Sequence, residues 1–394
     1  MKKSCFIISL VVTLICVSCD KAILEGPLDE NVLDGQIEGL SFDENIQFLN
    51  GDEAFAEVFT SSNGLGPLFV ANSCVTCHAG DGKGHPFTTL TRFGQIDASG
   101  NQYLNFGGPQ LQNRALPGYT PEAIPSGATS AKLTPPITTG LGFLDAVTDA
   151  DIIAMSDPND ADGDGISGVP NWAEIPPYVI LRANAIAQNG KYIHRFGKKA
   201  AAYDLLHQTV SAYNQDMGIT STFEPIDTYS GLEVDPEVSN NAVNDVVFYL
   251  KTLKAPIQRD EDNVFSGKNI FSEIKCASCH KPTLKTGFSP IEAISNKEFH
   301  PFTDLLLHDM GSNLDDGYTE GGALTAEWRT PPLWGLGLAP DSQGGEYFLM
   351  HDGRARSIEE AILLHEGEAA NSRSLYQNLS QTEKNNLIEF LNSL

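Results

Sequence analysis

Cys74-Val75-Thr76-Cys77-His78 and Cys276-Ala277-Ser278-Cys279-His280 are two copies of Cys-X-X-Cys-His in one chain. Two thiols one turn apart suit addition across the two vinyl groups of a haem, and the adjoining histidine then faces the iron as proximal ligand. A bare Cys-X-X-Cys would equally suit a dithiol switch or half of a zinc site. The histidine in both copies weighs toward haem, so the sequence predicts two covalently bound c-type haems and a redox role.

Around the pentapeptides, other segments recur in the same order and define two units. Gly51 to Phe55 precedes the first motif and Gly267 to Phe271 the second. Leu133-Thr134-Pro135-Pro136 leads to Gly140-Leu141-Gly142, and Arg329-Thr330-Pro331-Pro332 leads to Gly335-Leu336-Gly337. Each unit closes on an apolar-periodic stretch, Val243 to Leu253 and Glu383 to Leu394. The pattern predicts a mainly α protein of two cytochrome c-like domains in tandem with long ordered loops. The domains are expected at 46–257 and 258–394, divided near Ala255 to Asp262. Residues 98 to about 192, rich in Gly, Pro, Asn and Asp, read as an insertion in the first unit with few regular elements.

The chain has seven cysteines, and the three outside the motifs, Cys5, Cys16 and Cys19, all lie near the start. Lys2-Lys3, an apolar run from Phe6 to Val17 and Val17-Ser18-Cys19 form a lipoprotein-type signal over residues 1–19, with Cys19 as the lipidation site. Ordinary secretion is the alternative. Either places the protein outside the cytoplasm, in the first case lipid-anchored in a bacterial envelope facing the periplasm or the cell surface. Residues 20–45, acidic and poor in aromatic groups, read as a linker. With 51 acidic against 25 basic residues and a net charge of -26, nucleic acid is an unfavourable partner and a basic electron-transfer protein a favourable one.

A haem iron has two axial positions, so each proximal histidine raises the question of its opposite ligand. In the second unit Ser357 to His365 reads as a helix with Ile358, Ala361, Ile362 and His365 on one face, which makes His365 the candidate opposite His280. His308, His351, Met310 and Met350 are rivals. In the first unit Leu205-Leu206-His207-Gln208 is similar to Leu363-Leu364-His365-Glu366, so His207 is the first candidate opposite His78, with Met217 as alternative. An open iron is the third reading, and peroxide is activated only at such a position.

Asp157 to Ile166 carries carboxylates at alternate positions followed by glycine, as in the first half of a calcium loop. Asp160, Asp162, Asp164 and the Ile166 carbonyl are the expected ligands of one calcium ion; Asn171 stands where an EF-hand has Glu, and a solvated turn is the bland reading. Trp172, Trp328 and Trp334 are candidates to lie between the haems, core packing being the default for tryptophan.

With these residues assembled, the chain resembles the bacterial di-haem oxidoreductase family of peroxidase type, related to di-haem cytochrome c peroxidases. The resemblance rests on both haem motifs, Gly107 to Leu111, Leu133 to Val147, Arg195 to Ala200, Asp216 to Thr220, Leu306 to Gly311 and Tyr347 to His365. It implies a C-terminal haem relaying electrons from a small redox protein to a reactive N-terminal haem, with hydrogen peroxide or another small oxidant as substrate. It also implies a proton-moving residue beside the N-terminal haem, for which Asp145, Gln110 and Gln112 are the candidates. A non-enzymatic di-haem electron carrier is the alternative.

Overall fold

The computed structural model describes residues 28–94, 96–97, 100–101 and 109–394. The signal-like segment, Cys19 and Gly107-Gly108 lie outside the described residues. In chain order the α-helices are α1 (Phe42–Ala56), α2 (Cys74–Cys77), α3 (Leu141–Asp145), α4 (Asp149–Met155), α5 (Leu205–Ser211), α6 (Asn240–Thr252), α7 (Phe265–Glu273), α8 (Ala339–Ser342), α9 (Ile358–Leu363), α10 (Ala370–Gln377) and α11 (Gln381–Ser393). None of the described helices is long and apolar enough to cross a membrane.

Two helix crossings organise the chain, and they match in detail. α1 begins at a capping box, in which Ser41 Oγ accepts the Glu44 N–H and Glu44 accepts the Ser41 N–H. α6 and α11, the closing helices, each begin at a serine cap, Ser239 on the Ala242 N–H and Ser380 on the Glu383 N–H. α1 packs across α6, and α7 across α11. At the first crossing Gly51 lies against the Asp245 carbonyl and the Tyr249 side chain; at the second Gly267 lies against the Asn386 carbonyl and Phe390. Only hydrogen at these α-carbons lets the backbones come so close. Gly142 and Gly337 repeat the device against the carbonyls of Lys251 and Asn392. The recurring Gly-Phe and Gly-Leu-Gly segments are thus contact points of one motif used twice.

The expectation of a mainly α chain is corrected. The structure is mixed, 34% helix and 13% strand. Its strands are antiparallel ladders of two to four residues, among them Leu90–Phe93 on Ser130–Leu133, Lys191–His194 between Asn171–Ala173 and Ala187–Gln188, and Leu307–Asp309 on Glu327–Arg329. Strands this short show too little alternation to register in sequence.

The halves also share their interior. The core that holds Phe48, Phe55, Val246 and Leu250 includes Leu284, Phe299, Leu305 and Trp334 from the second half. A second shared cluster joins Ala131 and Leu133 to Leu314, Tyr318 and Trp328. Residues from 33 onward, expected as linker, belong to the body: Leu33 is buried, Ile37 N–H donates to Thr252 O and Lys254 N–H to Gly35 O. Backbone pairing to the end of α6 holds this acidic stretch down, a partner its composition does not show.

Candidate di-haem site

The first motif is the short helix α2 and the second a 3-10 turn, Cys276–Ser278. Each places its histidine beside the helix crossing of its half. The His78 ring lies 6.2 Å from Phe55, itself 5.4 Å from Tyr249; the His280 ring lies 6.5 Å from Phe271, itself 5.5 Å from Phe390. His78 Nδ1 donates to Pro136 O at 2.9 Å and His280 Nδ1 to Phe302 O at 3.0 Å. A carbonyl only accepts, so each Nδ1 carries the proton and each Nε2 keeps a lone pair, as a metal-bound imidazole requires. Burial pushes both rings down to about 4, so they stay neutral. Burial pushes the Cys74, Cys77 and Cys276 thiols up to about 12. Nucleophilic thiol chemistry needs the opposite shift.

One cavity of about 590 Å³ reaches both motifs. Its wall is largely apolar and includes both Thr-Pro-Pro segments, Phe196, Leu205, Leu250, Leu336 and Ile358. Lys83, Lys198 and Arg329 are among the cations that also line it. Burial and the charges of Lys83 and Arg329 push the Lys198 ammonium well below its usual value, with Asp352 offsetting in part. Among the described residues Lys83 and Lys198 make no salt bridge. An apolar chamber with clustered cations fits a planar macrocycle that carries carboxylates, so the residues present fit haem at both motifs.

Around the cavity stand His365, His207, Met217, His308, His351, Met310 and Met350. His365 follows α9, whose cap is the Ser357 hydroxyl on the Glu360 N–H, and the expected face of Ile358, Ala361, Ile362 and His365 all meets the cavity. His365 Nδ1 donates to Ala361 O at 2.7 Å, again leaving the Nε2 lone pair, and its charge is felt at His280. His308 is engaged at both nitrogens, Nε2 with Asp304 at 2.9 Å and Nδ1 with Glu368 at 2.6 Å. His351 is tied to Asp316 at 2.8 Å and stacked on Trp328 at 3.7 Å. His308 thus has both ring nitrogens engaged and His351 its Nε2, whereas His365 Nε2 has no such partner among the described residues. Met217 is buried in the wall. At His207 the arrangement is reversed, because Nδ1 accepts from the Tyr203 N–H at 3.2 Å.

The family described as "Di-haem oxidoreductase, putative peroxidase" matches residues 129–394. The chain belongs to this family. No curated protein matches it. Among solved structures, "Kuenenia stuttgartiensis Hydrazine Synthase Pressurized with 20 bar Xenon" aligns over 91% of this chain and 94% of its own at 13% identity, with a TM-score of 0.38.

Of the catalytic candidates in this di-haem oxidoreductase, none of the three lines the cavity. Asp145 sits at the end of α3 in ion pairs with Arg182 at 2.7 Å and Lys251 at 3.2 Å. Burial would raise its carboxyl, but those cations hold it down at about 2. Gln110 accepts from Arg92 Nε at 3.1 Å; Gln112 donates to Gln215 O and accepts from Thr228. Three carboxyls do line the cavity: Glu320 and Glu368, paired with Arg92 and His308, and Asp216, which the sequence reading passed over. It lies in a π-helical turn, Ala212–Asp216, that prolongs α5, and its Oδ1 is buried without a partner. Burial pushes it up to about 6, with Arg92 pulling the other way, and its charge is felt at Cys74 and Cys77. Arg92, ion-paired to Glu320, lines the same wall. Asp216 adjoins the quoted Met217-Gly218, so its neighbourhood was visible but its orientation was not.

The acidic loop gathers the carboxylates of Asp157, Asp160 and Asp162, so Asp157 joins two of the expected ligands. Asp164 Oδ1 instead accepts the Ile166 N–H at 2.9 Å. Of the three tryptophans only Trp328 lines the cavity; Trp172 and Trp334 pack in the first core.

Proposed function

We propose that this protein is an extracytoplasmic di-haem oxidoreductase of peroxidase type, in which the haem at the second motif passes electrons to a more reactive haem at the first. The observation that carries it is the asymmetry of imidazoles around one cavity. At the second motif His280 and His365 both present an Nε2 lone pair, which suits a six-coordinate, electron-transferring iron. At the first motif His78 alone does so, and the polar groups Arg92, Asp216 and His207 stand near it. Covalent attachment through Cys74, Cys77, Cys276 and Cys279 follows from the two pentapeptides. Each haem supplies one-electron chemistry when bound.

The protein's own groups act around it. Pro136 O and Phe302 O fix the proximal rings, the apolar wall excludes water, and Asp216 Oδ1 offers a carboxyl to a small oxidant such as hydrogen peroxide. The donor is a small redox protein with basic character, attracted by the acidic surface. A non-enzymatic carrier is the second reading, favoured by Met217 in the cavity wall. Lipid anchoring at Cys19 and a calcium ion at Asp157, Asp160 and Asp162 complete the proposal.

The decisive experiment joins optical and paramagnetic resonance spectra of each iron to peroxide consumption by the half-reduced protein. A high-spin iron, turnover with a donor, and loss of turnover in Asp216→Asn with both haems retained support the enzyme. Two low-spin irons that bind no cyanide establish the carrier. Haem that stays with the chain in a denaturing gel tests attachment, release from membranes by Cys19→Ala tests the anchor, and a calcium-dependent melting temperature tests the ion.

A further inference from the structure

His207 stands apart from the other three imidazoles because its hydrogen bond runs the opposite way. At His78, His280 and His365 a backbone carbonyl faces Nδ1. At His207 the partner of Nδ1 is the Tyr203 N–H. An N–H only donates, so Nδ1 must hold its lone pair. A neutral ring then carries its single proton on Nε2. Burial, helped by His194 and Arg92, pushes His207 down to about 4, which keeps the ring neutral near pH 7.

The donor that imposes this tautomer is itself fixed. The carbonyl of the same peptide, Ala202 O, accepts the Arg195 N–H at 2.9 Å and the Phe196 N–H at 3.1 Å, and just beyond it Asp204 caps α5 by accepting the His207 N–H at 2.8 Å. The peptide that ends in the Tyr203 N–H is therefore anchored on both sides, and the ring cannot reverse its roles without losing the bond. His207 lines the cavity, and Nε2 makes no hydrogen bond among the described residues. Arg92, whose charge His207 feels, lines the same wall and is held by Glu320 and by Gln110.

We propose that His207 is not an iron ligand but a hydrogen-bond donor, whose Nε2–H, with Arg92 as charged neighbour, holds a small anion or peroxide at the first iron. It rests on the reading above that a haem occupies the first motif. An iron-bound ligand that keeps a lone pair, such as cyanide or hydroperoxide, can accept from this N–H. In a water-poor apolar chamber such a donor counts for more than it would in solvent.

The test uses the holoprotein and its His207→Leu and His207→Gln variants, with cyanide as probe. Haem content per chain is measured first. A wild type without two haems overturns the underlying reading, not the tautomer argument. With two haems, the expected result is an unchanged resting spin state in both variants, cyanide affinity at the first iron about tenfold weaker in the leucine variant, and near-wild-type affinity in the glutamine variant, whose amide supplies an N–H. A shift of the first iron from low to high spin in either variant identifies His207 as a ligand and overturns the proposal. So does unchanged affinity in His207→Leu, or a wild type that binds no cyanide. If the leucine variant does not hold haem, His207→Phe, which also lacks a ring N–H, takes its place under the same spin-state and affinity criteria.

Discussion

Gly51 lies so close to the Asp245 carbonyl that a methyl group on its α-carbon would overlap that oxygen, and Gly267 repeats the relation with Asn386. The crossings of α1 on α6 and of α7 on α11 cannot widen without disturbing the histidine that each supports. Gly51→Ala and Gly267→Ala are each expected to lower stability by about 1–3 kcal/mol, the usual cost of overpacking a core. Chemical denaturation of the holoprotein measures this, and unchanged midpoints would show that the crossings are looser than described.

His365→Ala removes the second Nε2 lone pair from the second site. The expected result is one iron per molecule turning from low to high spin while haem content stays at two, because attachment is through Cys276 and Cys279. The potential of that haem is expected to rise, since a second imidazole favours the ferric state. A second iron that stays low-spin would leave Met310 or Met350 as its ligand.

Asp145 carries a pH prediction. Its carboxyl is held at about 2 in the folded chain against 3.8 for the ordinary group. A depressed acid contributes stability above the unfolded value and loses it as pH falls through the folded one. The ion pairs with Arg182 and Lys251 therefore contribute about 2 kcal/mol near neutrality, lost between pH ~4 and ~2. Asp145→Asn should unfold at lower urea concentration at pH 7, with the gap from wild type closing across that acid window and peroxide turnover per haem unchanged.

Lys198 and Arg329 are expected to meet haem carboxylates. Removing a cation favours the ferric state, so Lys198→Met and Arg329→Met should move potentials negative. A unit charge roughly 10 Å from the iron at an effective dielectric of about 20 is worth ~1.5 kcal/mol. Lys198 is felt at His78, and Arg329 is paired electrostatically with Asp304, which is felt at His280. The larger shift should therefore fall on the first haem for Lys198→Met and on the second for Arg329→Met, as read by potentiometric titration.

Local patterns were legible where a short stretch carries its own chemistry. The pentapeptides, the Ser357 cap with the α9 face that ends at His365, and the repeated Gly-Phe and Gly-Leu-Gly segments could be read directly, because covalent spacing and helical period fix them. The failures share a cause. Asp145 and Asp216 are both acidic residues in or beside short helical segments, and no local signal says that one meets Arg182 while the other faces the cavity. Residues 33–41 read as linker because their partners, Thr252 and Lys254, are far along the chain.

By itself the sequence determined two haem-type motifs, the duplicated helix-crossing plan and the membership in the di-haem oxidoreductase family. Tertiary structure alone decided that the two halves share a core and a cavity, and which ring nitrogen each imidazole leaves free. The physical reason is direction. A histidine's coordinating nitrogen is chosen by whether its other nitrogen meets a carbonyl, as at His78, His280 and His365, or an N–H, as at His207, and that partner is known only when the chain is folded.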